Sequence, residues 1–562
     1  MRALRDPRIL LIWPYGAFDR ATLPLAYSYL IPTLRRHGFR VNFLDCAVGE
    51  ISPDSAQFCD VIQSYQPHIV GVSAWSVHKE MATEALRRVK AISSDILTIA
   101  GGPHFSGDPG YSLESDQGVI DFVLKGEAEE SLIQFLEIIS HGEWSYQDLT
   151  IVPGLCFLQP DGLVHETPAK SPASLDALGQ PDYDVINLPL YLKKGYAYRS
   201  DSTSQAAIVT TRGCPYTCDF CSAPFLNGRR VRKHSPAYLL ELLRTLYDRF
   251  EIRHFNIIDD NFTFDVPYAK QFCKIVIANQ DWLRNVSFGT PNGIRIEKTD
   301  EDLFYLMKAA GWKRVIVAPE SGSQKMVDLM AKHLKLSIVP EKVAQIQKAG
   351  LECEAFFIVG HPGEDRQTVT ETKRFIQDVK FDVVSLHLFQ PLEGTPIYSD
   401  LVTMGTLAKG ETIRSYDEIN WVPEGWTRPE LLAVFQDLME ASVKVYPLRF
   451  EWFFSKFSKP GKVVRVLCGE RIRNLFFAGS SRVRRQISEW WFHLRYGTEM
   501  MKRVAAIELN SPGRKDLQVI ENQMIQIMKH SDELKSKANE FLKSQGPGKE
   551  ETQSVRIGAG NI

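Results

Sequence analysis

The sequence lacks any long apolar run: no window approaches the roughly 18 uncharged apolar residues that span a bilayer. Its opening, MRALRDPRILLIWPYGAF, carries an apolar run of only about six residues, shorter than a secretory h-region. No transmembrane segment or leader is expected, and the protein reads as cytoplasmic. Neither sign of charge is in excess, since 66 Lys and Arg stand against 68 Asp and Glu for a net charge of -2. A nucleic-acid partner is therefore not favoured. No internal repeat signals a solenoid. No G-x-G-x-x-G follows the first apolar strand, which disfavours a dinucleotide site. Cysteine is sparse, nine in 562 residues, and Cys46, Cys59, Cys156, Cys273, Cys353 and Cys468 are scattered singly through apolar segments. Free cysteine in such places behaves as a small buried hydrophobe, so a disulfide framework is not expected.

What is present is a long chain with a regular alternation. At 562 residues it exceeds one hydrophobic core, and three or four domains are expected. Over residues 1–150, RILLIW, RVNFLD, HIVGVSA, LTIAGG and DFVLKGE read as strands. Helical spacing appears between them in PLAYSYLIPTLRRHG, SAQFCDVIQSYQ and KEMATEALRRVKAIS. This predicts a doubly wound α/β domain with a parallel sheet, whose ligands sit at the carboxyl ends of the strands. Residues there include Ser73, Gly101, Gly102, His104, Gly126 and Glu127. Residues 151–200 hold six prolines and little periodicity, as expected of a partly extended linker. Over 201–400 a second series follows, AAIVTT, HFNIIDD, VSFGTPNG, RVIVAPE, CEAFFIVG and VVSLHLFQP, with helices between. Six βα units are too few for a full eight-unit barrel and fit an open, partial one. Residues 401–530 read as a mainly helical domain, and 531–562 as a disordered tail.

The densest chemistry lies in TTRGCPYTCDFCSAPF, where Cys214, Cys218 and Cys221 have the spacing C-x3-C-x2-C directly after a strand. Clustered thiols in a reducing compartment point to a metal or redox site rather than to structural cysteines. Zinc would want a fourth ligand at short spacing, and the nearest candidate, His234, is 13 residues past Cys221. An iron–sulfur cluster held by three thiolates would keep one iron open to a substrate or cofactor.

With Phe220 in the aromatic position, this loop resembles the C-x3-C-x-Φ-C signature of the radical S-adenosylmethionine (SAM) enzymes. The resemblance implies a four-iron, four-sulfur (4Fe-4S) cluster on Cys214, Cys218 and Cys221. It also implies SAM chelated to the fourth iron and cleaved to a 5′-deoxyadenosyl radical. Further family landmarks, DDNFTFD, PNGIR, APESGS, VGHPGED and PLEGTPIY, end or follow the second to sixth strands of the series. By resemblance, Asn292, Arg295, Glu320 and Ser321 would contact the ribose, amino or carboxylate groups of SAM, with Gly360 and Pro362 near the adenine. Taken singly, such loop residues more often serve turns.

The first domain, in front of such a barrel, resembles the Rossmann-like cobalamin-binding domain of the cobalamin-dependent radical SAM family. The matching pieces are PLAYSYLIPTLRRHGFRV, IVGVSAW, IAGGPH and VLKGEAEESL. The glycines would let a large flat ligand approach the backbone. The D-x-H-x-x-G that supplies a cobalt-ligating histidine is missing, because the first strand runs into WPYGAFDRA. Cobalamin would then be ligated below by water or nothing, with His104 a candidate contact for the corrin or its tail.

A radical generator beside a methyl–cobalt carrier suits methylation of an unactivated carbon. The resemblance thus implies a cobalamin-dependent radical SAM C-methyltransferase acting on a small molecule, lipid, tetrapyrrole or peptide, with flavodoxin or ferredoxin as electron donor. Cyclisation, oxidation or rearrangement with the same cofactors is the alternative within the enzyme class. A non-catalytic cobalamin- or SAM-responsive binding protein is the alternative outside it. The aromatic and arginine-rich stretches RFEWFFSKFS and QISEWWFHLRYGTEMMKRV suit helix packing, or a lid over the barrel mouth.

Overall fold

The computed structural model describes residues 3–16, 23–200, 202–411, 413, 415–416 and 418–445. The two aromatic stretches, Cys468 and the 531–562 tail lie outside the described residues.

Strands β1 (Arg8–Trp13), β2 (Arg40–Asp45), β3 (Ile69–Ser73), β4 (Leu97–Gly101) and β5 (Phe122–Leu124) form a parallel sheet in the order β2-β1-β3-β4-β5. The expected helices appear as Leu25–Arg36, Ala56–Tyr65 and Lys79–Ile92. Strand order reverses between β1 and β3, and Tyr27 staples that point. Its hydroxyl donates to the Ile12 carbonyl (2.6 Å) and accepts from the Ser73 N–H (2.9 Å). Ligands of open α/β sheets bind outside the carboxyl ends at such a reversal.

The stretch expected as a linker differs at its start. β6 (Leu155–Leu158) and β7 (Val164–Glu166) add an antiparallel hairpin to the edge of this sheet, which becomes seven-stranded. Leu155, Cys156 and Phe157 are fully buried there, and QPDG supplies the turn. Prolines flanking the hairpin mask two short apolar runs.

The barrel begins with β8 (Gln205–Ile208), followed by the two-residue pair β9 (Thr211–Arg212) and β10 (Arg232–Lys233). Then come β11 (His254–Ile257), β12 (Ser287–Gly289), β13 (Arg314–Glu320), β14 (Glu352–Val359) and β15 (Val383–Leu388). The parallel triples β8-β11-β12 and β13-β14-β15 are joined by bridges Phe288 to Trp312 and Ile294 to Val317. Six strands in sequence order make the partial barrel. Trp312 plugs the seam, stacked 4.7 Å from Phe288. Helices Pro236–Arg249, Val266–Ala278, Glu301–Ala310 and Arg366–Val379 start where Ser235, Asp265, Asp300 and Asp365 accept a first-turn N–H.

Residues up to Val445 form one compact unit. Helix Arg428–Val445 brings Leu431 against Gly360, and the Trp426 Nε1–H donates to the Glu364 carbonyl (2.9 Å).

Candidate active site

The cysteine loop hangs between two acids at the end of β11. Buried Asp259 accepts from the Thr210 N–H (2.7 Å) and the Thr211 hydroxyl (2.9 Å), fixing the chain before the loop. Asp260 accepts from the Gly213 N–H (2.8 Å) and from Asn227 Nδ2 (3.0 Å), pinning both flanks of the cysteines. Burial drives the Asp259 pKa up to about 6 against these donors. Cys214 and Cys218 are buried and Cys221 half-buried, and none is in a disulfide. Burial raises all three thiols, Cys221 to about 12, so losing their protons requires a positive partner. Among the described residues no three His, Cys, Asp or Glu side chains are grouped to hold a single metal ion. A cuboidal cluster asks for less convergence, since its three thiolates bind three different irons. His234, the zinc candidate, lies instead 2.8 Å from Asp176 and stacks on Tyr238 at 3.8 Å.

Two cations serve Cys218. Arg295 directs Nη1 at Cys218 Sγ (3.8 Å), lies 3.6 Å over the Tyr216 ring and pairs with Glu297. Lys332 is buried, and its field also favours the Cys218 thiolate. Burial pulls the Lys332 pKa down, but Glu320 and Cys218 outweigh it and the net shift is upward. Lys332 Nζ is 2.6 Å from Glu320 Oε1. Glu320 itself has φ +66, a left-handed backbone that costs a non-glycine residue on the order of 1–3 kcal/mol. The Lys332 pair and the β13 register shift after Val317 hold it there. Phe220 faces His361 edge-on (6.5 Å), and His361 Nε2 lies 3.2 Å from Asp219.

The expected SAM contacts therefore separate. Arg295 and Glu320 stand around Cys218. Asn292 instead donates to the Ile258 carbonyl (2.9 Å) and accepts from the Tyr198 hydroxyl (3.0 Å), and Ser321 is buried against Thr372 (3.0 Å). Gly360 donates to Glu364 Oε2 (2.6 Å), and the Pro362 carbonyl lies 2.8 Å from His361 Nδ1. Just beyond β11 and β12, Asn261 Nδ2 and Thr290 Oγ1 are buried without a hydrogen-bond partner among the described residues. Such orphaned groups suit a polar ligand like SAM. Asn261 and His361 lie inside the DDNFTFD and VGHPGED landmarks without being named as contacts there, and nothing in the sequence marks Lys332 or Thr290.

In the first domain, Gly102 has φ +83, and a Cβ on it would lie 2.3 Å from Ser73 Oγ. Ser73, Gly101 and Gly102 thus form one tight cradle at the ends of β3 and β4, next to the strand-order reversal. At that reversal Trp13 Nε1 is a buried donor with no hydrogen-bond partner among the described residues, a group that a polar-rimmed cofactor such as cobalamin could satisfy. Gly126 and Glu127 face elsewhere. A Cβ on Gly126 would meet the Leu226 carbonyl (3.1 Å), so this glycine admits the barrel. Buried Glu127 pairs with Arg212 (2.8 Å) and Arg232, and Glu129 joins Arg212 (2.8 Å). A carboxylate so committed is a structural tie and not a free cofactor contact. His104 is buried beside Ser76 (3.2 Å) and Glu393 (3.3 Å), a barrel residue that follows β15.

Comparison with known proteins agrees with both halves. Residues 18–136 match the B12 binding domain, and residues 208–376 match the radical SAM superfamily. A protein of Pyrococcus horikoshii named as an uncharacterized methyltransferase is 24% identical over 67% of this chain and 77% of its own length. The anaerobic magnesium-protoporphyrin IX monomethyl ester cyclase of Rubrivivax gelatinosus is 26% identical over 76% of this chain and 75% of its own. The solved cobalamin-dependent SAM radical enzyme OxsB, with aqua-cobalamin and SAM bound, shares the fold with a TM-score of 0.66. It is 14% identical, and the match covers 97% of this chain and 82% of OxsB. With a B12 binding domain followed by a radical SAM module that carries the three-cysteine loop, the chain belongs to the cobalamin-dependent radical SAM enzyme family, whose cofactors are cobalamin, SAM and a four-iron, four-sulfur cluster.

Proposed function

We propose that this protein is a methyltransferase that places a methyl group on an unactivated carbon. The observation that carries the reading is the meeting of the two cofactor domains at their strand ends. Ser76 and His104, following β3 and β4, touch Glu393, following β15. A donor held over the first sheet and a radical source held over the barrel would then share one enclosed space. When bound, the cofactors supply a radical that opens a C–H bond and a methyl group to fill it. The chain's own part is positional: Cys214, Cys218 and Cys221 hold the cluster, and Arg295, Lys332 and Glu320 set the charge around it. Asn261 and Thr290 offer SAM hydrogen bonds, while Ser73, Gly101 and Gly102 cradle the corrin.

The substrate class is a small molecule, lipid, tetrapyrrole or peptide. Among the described residues no helix is long and apolar enough to cross a membrane, and we read the enzyme as cytoplasmic, reduced by flavodoxin or ferredoxin. The test is anaerobic incubation with SAM deuterated in its methyl group, cobalamin, a reductant and candidate substrates. The expected product gains one labelled methyl. The resemblance to the Rubrivivax cyclase favours a second reading, ring closure without methyl transfer. A product that loses hydrogens and gains no carbon would establish that reading and overturn the first.

A further inference from the structure

Glu393 is 4% exposed, yet only one of its carboxylate oxygens is used. Oε2 accepts from the Ser76 hydroxyl (2.7 Å) and lies 3.3 Å from His104 Nδ1. Oε1 is buried, and among the described residues no other residue gives it a hydrogen bond. Burial raises the Glu393 pKa, but the hydrogen bonds and charge of His104 and the Ser76 hydroxyl outweigh it, so the group favours its ionised form. A buried ionised oxygen with no donor is costly, and native structures rarely retain one without a ligand.

The place narrows the ligand. Gly107 and Gly394 pack so closely that a Cβ on Gly394 would sit 2.6 Å from the Gly107 Cα and 2.9 Å from the Phe225 ring. Phe225 is four residues beyond Cys221, and the Ile397 N–H donates to the Asp219 carbonyl (3.1 Å). Glu393 therefore stands between the carboxyl ends of β3 and β4 and the cysteine loop. The corrin of cobalamin bears primary carboxamides around its rim, each an uncharged N–H donor suited to a carboxylate acceptor. We propose that Glu393, a residue of the barrel, is a cobalamin contact whose Oε1 accepts an N–H from one of the primary propionamides on the corrin rim, with Ser76 and His104 fixing the carboxylate. The barrel thereby reads the rim of a cofactor carried by the other domain. This rests on the family's use of cobalamin.

The test uses corrinoids in which one propionamide at a time has been hydrolysed to the acid, giving three isomeric monocarboxylates. Each is bound to the full-length, cluster-containing protein without substrate, and affinity is read from the corrin absorption spectrum. In wild type, the isomer carrying its acid opposite Glu393 sets carboxylate against carboxylate and is expected to bind at least about tenfold more weakly than cobalamin. Glu393→Gln offers that acid an N–H and is expected to recover it to within about threefold of cobalamin. If all three isomers show the same wild-type to variant ratio, the assignment is overturned. Should Glu393→Gln fail to fold, the wild-type series decides alone, and equal affinity for the parent and all three isomers overturns it. Absence of cobalamin binding in wild type would overturn both the contact and the family reading beneath it, a result distinct from uniform binding.

Discussion

Arg295 aims Nη1 at Cys218 Sγ across 3.8 Å, and this places a fixed positive charge beside one of the three cysteines proposed to hold the cluster. A cation close to a cluster stabilises the electron-richer state. Arg295→Leu should therefore lower the reduction potential of the reconstituted cluster. If the charge contributes about 1.4 kcal/mol, the shift is about 60 mV for one electron. An EPR-monitored redox titration without SAM checks it, and an unchanged potential would show that Arg295 acts only on SAM.

Iron should depend on the triad alone. Cys218→Ala is expected to lose most bound iron and all reductive cleavage of SAM, whereas Cys353→Ala, buried in β14, keeps both. Iron and sulfide analysis after anaerobic reconstitution separates the two.

Glu127 ties two guanidiniums in a buried junction. Glu127→Ala leaves Arg212 and Arg232 short of their shared acid and should cost about 3–5 kcal/mol. Denaturant unfolding measures this, and a loss below about 1 kcal/mol would mean that Glu129 alone suffices for Arg212.

Glu364 gives stability a pH slope. Burial raises its pKa from the ordinary 4.5 to about 7 in the fold. Between those values the folded protein holds a proton that the unfolded chain has released, so this group's contribution falls as pH rises from about 4.5 to about 7. Glu364→Gln can still accept from Gly360 and removes the titration. Its Tm should therefore decline less than wild type between pH 5 and pH 7.5. Parallel curves would refute the shift.

Much of this site could be read from local sequence. Three thiols within eight positions and an aromatic at Phe220 need no third dimension, and strand and helix alternation places them at a strand end. Partnerships between distant segments could not be read that way. Lys332 looks like one more surface lysine until β13 turns Glu320 towards it. Glu127 follows a glycine at a strand end, the pattern of a ligand loop, and only the β9–β10 hairpin shows that two arginines claim it. Asn292 sits in the expected PNGIR motif, yet the end of β11 and Tyr198 take both ends of its amide. The β6–β7 hairpin was hidden because prolines around it suggest a linker, while burial of Phe157 decides for a sheet edge.

The Glu127 junction also bears on how such chains diversify. Arg212 stands two residues before Cys214, so the carboxylate that neutralises it belongs to one module while the guanidinium leads into the metal loop of the other. Recombination that exchanged the first module alone would strand two arginines in a buried seam. Descendants should inherit both halves as a block, and novelty in substrate choice would then have to arise elsewhere in the chain.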